Sequence, residues 1–248
     1  GTFTGDLTVD TDTLKVDTTN DKVGINTASP SDYYSDELVV TAADEGGMTF
    51  VTGTTHANYI SFADGTSGNA AYRGFLKYDH NNDRMTFGTS GSSAIEIDST
   101  GAVTKPLQPA FQAGSNSTQT NVAVGSVVTL NFASEAFDQN SDFDNTNMVF
   151  TAPVTGRYFF HTAVYMQQIP TGASYISLRI TTSNRTYVEI MDPNFSANLS
   201  YHTLTVTVLA DMDASDTAKV QFLQADSTQQ VDLQGNPSYT YFCGNLVC

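Results

Sequence analysis

Phe150-Thr-Ala-Pro-Val-Thr-Gly-Arg-Tyr-Phe-Phe160 governs how the rest of the chain is read. Pro153 lacks the N–H that a strand ladder needs, so Thr151 to Gly156 reads as a tight corner. Gly156 then permits backbone angles that other residues adopt only at a cost. Arg157-Tyr-Phe-Phe-His-Thr-Ala-Val-Tyr165 follows, aromatic and β-branched, too short and too flat in pattern for a helix. It predicts a strand buried on both faces, at the middle of a β-sandwich.

On either side of this strand the same chemistry recurs. Val127–Phe132, Met148–Phe150, Tyr175–Ile180, Thr186–Ile190, Leu199–Leu209, Ala218–Leu223 and Tyr239–Val247 are further strand candidates. At least eight strands at regular spacing, with no helices, mean a sandwich or jelly roll. Upstream, Thr104-Lys-Pro-Leu-Gln-Pro109 holds two prolines in four residues and reads as a semi-rigid linker. The expected division is therefore 1–105 and 106–248.

Residues 1–105 carry short apolar pairs at period two: Leu7/Val9, Leu14/Val16 and Val23/Ile25. Met48–Val51, Tyr59–Phe62, Gly74–Tyr78 and Arg84–Phe87 add strand candidates, with a hairpin turn at Asp79–Asp83. Leu14–Asn26, read as strand, acidic turn, strand, is partly echoed in Ile95–Val103, which points to a stacked, elongated β architecture. Strands with so few large apolar residues cannot bury a face alone, and three chains wound about one axis would let each Leu, Val and Ile meet its mates. The opening Gly1-Thr-Phe-Thr-Gly5 is already in strand-like alternation and has no initiating Met, so the chain is expected to be the C-terminal piece of something longer.

The net charge is −16, with ten Lys and Arg spread thinly, so no basic cluster is there to neutralise phosphates. Nucleic-acid binding is disfavoured, and the same sign repels anionic headgroups. No apolar run reaches bilayer length, so membrane insertion is not expected. The two cysteines are Cys243 and Cys248. On one strand they would stand about 17 Å apart, beyond the reach of a disulfide, and two free thiols are expected.

Catalytic patterns are sparse, and no enzyme is expected. His56, His80, His161 and His202 lack zinc-ligand spacing, no Ser sits in a nucleophile elbow, and no Gly-rich phosphate loop precedes a helix. The 26 acidic residues leave open a carboxylate pair for glycoside hydrolysis, although solvated surface acids explain them better. Asp138, Asp142 and Asp144 have the spacing of half a calcium loop but lack its Gly and closing Glu. No cofactor is expected, and calcium there is the one candidate metal.

The Phe150–Phe160 segment, with Phe242-Cys-Gly-Asn-Leu246 far downstream, resembles the globular head of the complement-q and tumour necrosis factor superfamily. Two motifs agree in order and spacing, and Phe111, Asn131 and Phe137 fall where that superfamily has its opening strands. The resemblance implies a ten-stranded jelly roll packed as a homotrimer, with Phe150, Pro153, Gly156, Tyr158, Phe160, Phe242, Gly244 and Leu246 as its structural motif. It implies no particular ligand.

Val16-Asp-Thr-Thr-Asn-Asp-Lys-Val-Gly-Ile-Asn-Thr-Ala-Ser-Pro30 and Phe75–Thr89 are similar to segments of bacteriophage tail-fibre shafts, with Asn26 replacing the second Gly of that pattern. Together the two resemblances imply an all-β, trimeric fibre shaft followed by a jelly-roll knob. The expected protein is structural, an adhesin-like part of a virion tail fibre or appendage that faces outward. It would join other tail proteins upstream and attach to a host surface glycan or protein. Gln167–Ser174 and Asp192–Ser200 are the expected recognition loops. The alternatives are a tailspike-like glycan depolymerase and a secreted or cell-surface matrix protein with the same knob.

Overall fold

A computed structural model of the chain describes residues 5, 7–10 and 13–248. The alternation expected at residues 1–4 lies outside these. By contacts the chain divides into two compact units, residues 1–59 with 78–81, and residues 60–77 with 82–248.

In the first unit, β1 (Leu7–Val9), β2 (Leu14–Asp17), β3 (Lys22–Ile25) and β4 (Leu38–Val40) form a four-stranded sheet in that order. β3 and β4 are parallel, the other pairs antiparallel. The β2–β3 turn is set by Asp17, whose Oδ1 accepts from the N–H of Thr19 and of Asn20, each at 3.1 Å. Asn26, at φ +59, ends β3 in the left-handed region. Asn tolerates that conformation better than most residues do.

β5 (Ala57–Phe62), β6 (Gly74–Asp79), β7 (Arg84–Thr89), β8 (Ser92–Ile97) and β9 (Val103–Thr104) form a five-stranded sheet in sequence order. The turn expected at Asp79–Asp83 joins β6 to β7, with Asp83 at φ +45. Residues 48–51 form no strand, contrary to expectation. Gly46, Gly47 and Gly53 flank them, and the Phe50 carbonyl accepts from the Asn58 side chain rather than from a ladder. The described helices are two 3₁₀ pieces, Pro30–Asp32 and Gly68–Tyr72.

From residue 110 the strands are β10 (Ala110–Gly114), β11 (Val128–Thr129), β12 (Ser134–Asp138), β13 (Phe143–Asp144), β14 (Val149–Thr151) and β15 (Gly156–Ile169). They continue with β16 (Tyr175–Thr182), β17 (Thr186–Met191), β18 (Leu199–Met212), β19 (Thr217–Ala225), β20 (Asp232–Leu233) and β21 (Tyr241–Leu246). One sheet has the order β12-β10-β21-β15-β18, with β20 also on β15; the other has β13-β14-β19-β16-β17, with β11 on β19. The two enclose one apolar core, and the fold is an all-β jelly-roll sandwich.

β15 lies between β21 and β18, so the Arg157–Tyr165 segment does sit mid-sheet. It is not buried on both faces, however. Tyr158 and Phe160 are fully buried, whereas Phe159 between them is 36% exposed. Only one face of this sheet meets the other sheet. The strand expected at Val127–Phe132 shrinks to two residues because side chains take over its backbone donors: the Asn131 N–H goes to Gln119 Oε1 and the Phe132 N–H to Met148 Sδ. Leu130 and Phe132 are buried all the same.

Candidate recognition surface

The aromatic residues of the motif read from the sequence fall into one internal cluster, while Pro153 is exposed and Leu246 half-buried. Phe150, Tyr158, Phe160 and Phe242 have no exposed surface, and Phe111 is 1% exposed. The Phe150 ring centroid lies 5.0 Å from Phe111, 5.4 Å from Tyr158 and 5.4 Å from Phe160. Phe242 stands 5.0 Å from Phe111 and 5.7 Å from Phe160. Aromatic contacts at these separations add to what their buried area contributes. Pro153 lies in the corner between β14 and β15, where Tyr158 donates its hydroxyl to the Val154 carbonyl at 2.8 Å. Gly156 and Gly244 sit where a side chain would collide. A Cβ on Gly156 would come within 2.6 Å of the Cys248 carbonyl oxygen, and one on Gly244 within 2.4 Å of Phe160. Tyr158 pairs with Leu246 and Phe160 with Gly244, so the two distant motifs are adjacent strands.

The outward face of the β12-β10-β21-β15-β18 sheet is apolar at one end and aromatic at the other. Phe159 and Leu209 are directly opposed and 36% and 57% exposed. In the middle, His161 Nδ1 lies 2.7 Å from the Thr207 hydroxyl, and its Nε2 lies 3.2 Å from the Tyr241 hydroxyl. Burial holds the His161 pKa below its ordinary value, which favours the neutral ring. The opposed Cys243 is half-buried, and burial pushes its thiol up. Cys243 and Cys248 are both free thiols. At the far end Tyr201 stacks on Tyr165 at 5.9 Å, and Tyr165 packs 5.6 Å from Tyr239.

Of the two recognition loops expected, Gln167–Ile169 belong to β15 and only 170–174 are loop; the second runs from 192 to 198. Asn198 joins them: its Oδ1 accepts from the Thr171 N–H at 2.9 Å and from the Thr171 hydroxyl at 3.3 Å. Its Nδ2 donates to Gln229 Oε1 at 2.8 Å, which brings in a third loop, 226–231. Sequence reading passed over that loop, although its polar run Asp226-Ser-Thr-Gln-Gln230 between two strands was a usable signal.

Two of the three acids are spent on turns, while Asp142 Oδ2 is buried without a hydrogen-bond partner. Asp138 accepts from the N–H of Asp142 at 3.1 Å and of Phe143 at 2.9 Å. Asp144 accepts from the Asn147 side chain at 2.6 Å and from the N–H of Thr146 and of Asn147, which hold its pKa below the ordinary value. Burial, and then the Asp138 charge, pushes the Asp142 pKa up. Among the described residues no group of three or more His, Cys, Asp or Glu side chains is placed to hold a metal ion. Nor, among them, is any helix long and apolar enough to cross a membrane.

No protein-family model matches the chain, and no curated protein does. Among solved structures it is similar to the globular domain of a zebrafish complement 1qA protein. The identity is 18% and the TM-score 0.42, over 57% of this chain and 98% of that one. It is also similar to murine APRIL at pH 8.0, with 10% identity and a TM-score of 0.43, over 56% of this chain and 99% of that one. The jelly-roll assignment stands on the strand order itself.

Proposed function

We propose that the chain is a homotrimeric fibre piece, a shaft of residues 1–105 carrying a jelly-roll knob of residues 106–248 that attaches to a host cell surface. One observation carries the reading. Among the described residues up to 105, Val39 alone of the large apolar side chains is buried, while Ile25, Leu38, Val40, Phe50, Val51, Ile60 and Phe62 are all exposed. A β-segment with that much apolar surface in water gains stability by pairing with copies of itself. The exposed Phe159–Leu209 pair offers the knob a face for the same purpose. The number three comes from the superfamily resemblance, and the virion setting, with other tail proteins joined upstream, from the shaft-like segments. Three identical knobs would let weak single contacts with a repetitive surface add up by avidity.

Light scattering on the purified chain tests the assembly. A mass three times 26.6 kDa is expected. A stable monomer overturns the proposal. With a trimer in hand, adsorption of the labelled protein to bacterial cells tests attachment.

A further inference from the structure

The β13-β14-β19-β16-β17 sheet turns one face to the core and the other away from it, and that second face is on the opposite side of the sandwich from the one given to association of copies. Along β16, Leu178 and Ile180 are buried in the core, so Arg179 between them points out. Along β19, Lys219 points out in the same way between the buried Ala218 and Val220. Arg179 opposes Gln221 and Thr181 opposes Lys219, so the two cations are diagonal neighbours on adjacent strands, about 7–8 Å apart. Residues 106–248 hold four Lys or Arg against eleven Asp or Glu, and two of the four share this small area. Neither forms an ion pair with a described residue. Arg179 donates through Nε to the Ser177 hydroxyl at 3.2 Å, and Lys219 Nζ has no hydrogen-bond partner among the described residues. β16, β17 and β19 put no carboxylate on this face. Glu189 opposes the buried Leu178 and so belongs to the other side of its sheet. Asp144, on β13, is two strands beyond Lys219 and is held by Asn147 in its own turn.

From this charge pattern we infer that the face binds a carboxylated glycan of the surface to which the knob attaches. A guanidinium meets a carboxylate with two parallel N–H donors, and an ammonium beside it adds a point charge, so successive acidic sugars find two places to pair. The groups between the cations suit the rest of a sugar. Thr181 donates to Gln221 Oε1 at 2.8 Å, which fixes the amide and leaves its Nε2 donors free for hydroxyls. Val188 opposes Arg179 from β17, is 44% exposed, and gives an apolar border for sugar C–H groups. β16 and β19 are both interior strands, hydrogen-bonded on each side, so the groups are held in place before a ligand arrives and lose less entropy on binding. The acidity of the rest of the knob does not cancel the attraction, because exposed charges more than about 8 Å away are largely screened at physiological salt. A nucleic acid, whose binding draws on many phosphate contacts at once, meets only two cations here.

The inference deepens the attachment reading by naming its ligand class, and it rests on that reading for its biological setting. The full 248-residue chain is titrated calorimetrically, in EDTA and at low ionic strength, with polygalacturonate, with neutral dextran and with single-stranded DNA. Binding of polygalacturonate is expected, weakened at least tenfold in the double variant Arg179→Gln/Lys219→Gln and in Lys219→Glu. Lys105→Gln, which removes an exposed cation from outside the face, is expected to leave it unchanged. Thermal melts establish that each variant folds, and Lys219→Glu decides the matter where the double variant does not. No binding of polygalacturonate overturns the inference, as does binding that the variants on the face leave intact, an equal loss in Lys105→Gln, or equal binding of dextran or DNA. Light scattering on the same samples keeps the two proposals apart. A trimer that binds no polygalacturonate removes the cationic face and leaves the knob reading, whereas a monomer that binds it does the reverse.

Discussion

Phe160 and Gly244 face each other across β15 and β21, so close that a Cβ on Gly244 would stand 2.4 Å from Phe160 Cδ1. The glycine is the space into which the aromatic core packs. Gly244→Ala forces the Phe160 ring against Phe150 and Phe242, which have no room to yield. Overpacking of this kind costs about 1–3 kcal/mol. A thermal or urea melt of the variant is expected to show that loss, and an unchanged midpoint would mean the ring relaxes freely.

His161 gives the knob an acid-sensitive point. Its pKa is depressed from 6.5 by burial, so the unfolded chain binds its proton more readily than the folded one. The resulting contribution is complete above pH 6.5 and is lost as the pH falls through the folded value. Thr207, Tyr241 and Cys243 surround the ring, and none of them supplies a negative charge near neutrality to offset the imidazolium. The midpoint of a melt is therefore expected to fall between pH 7 and 5 in the parent and to fall less in His161→Gln.

Leu209 and Phe159 form the exposed apolar pair on the outward sheet face. If copies of the knob meet there, Leu209→Asp buries a carboxylate without a partner and weakens association more than folding. Light scattering over a dilution series is expected to show the variant dissociating at a concentration at least tenfold higher than the parent. Equal masses throughout would place the contact elsewhere.

Asp142 works in the opposite direction from His161. Its carboxyl pKa is raised above 3.8 by burial and by Asp138. Folding thus favours the protonated form, and that contribution is complete below pH 3.8 and lost as the pH rises through the folded value. At neutral pH the ionised group is a liability. Asp142→Asn is expected to raise the melting temperature at pH 7 by about 1–3 °C, a gain that shrinks toward pH 3. A constant gain at both pH values would point to packing rather than ionisation.

The sandwich could be read from the sequence wherever a pattern was local. Phe150–Phe160 announced a corner and a strand because Pro153 and Gly156 constrain the backbone by themselves. Burial on both faces could not be read, since Phe159 and Phe160 are chemically alike and only the position of the second sheet separates them. Val127–Phe132 misled for a related reason: a Gln and a Met distant in sequence satisfy donors that a local pattern assigns to a ladder. Residues 170–174 and 192–198 are legible as polar loops, whereas Gln167–Ile169 continue β15 and the joining of the loops through Asn198, Thr171 and Gln229 is a long-range event. Tyr165, Tyr201 and Tyr239 were missed as a group because each belongs to a different segment.

The position of β10 bears on mechanics. This first strand of the sandwich is hydrogen-bonded on both sides, to β12 and to β21. Antiparallel ladder bonds lie at right angles to their strands. A tug delivered through residue 109 acts along β10 and loads every bond of both ladders at once, so that they must shear together instead of opening one after another. The sandwich is thereby held more firmly against force along β10 than against force that peels its strands apart one at a time.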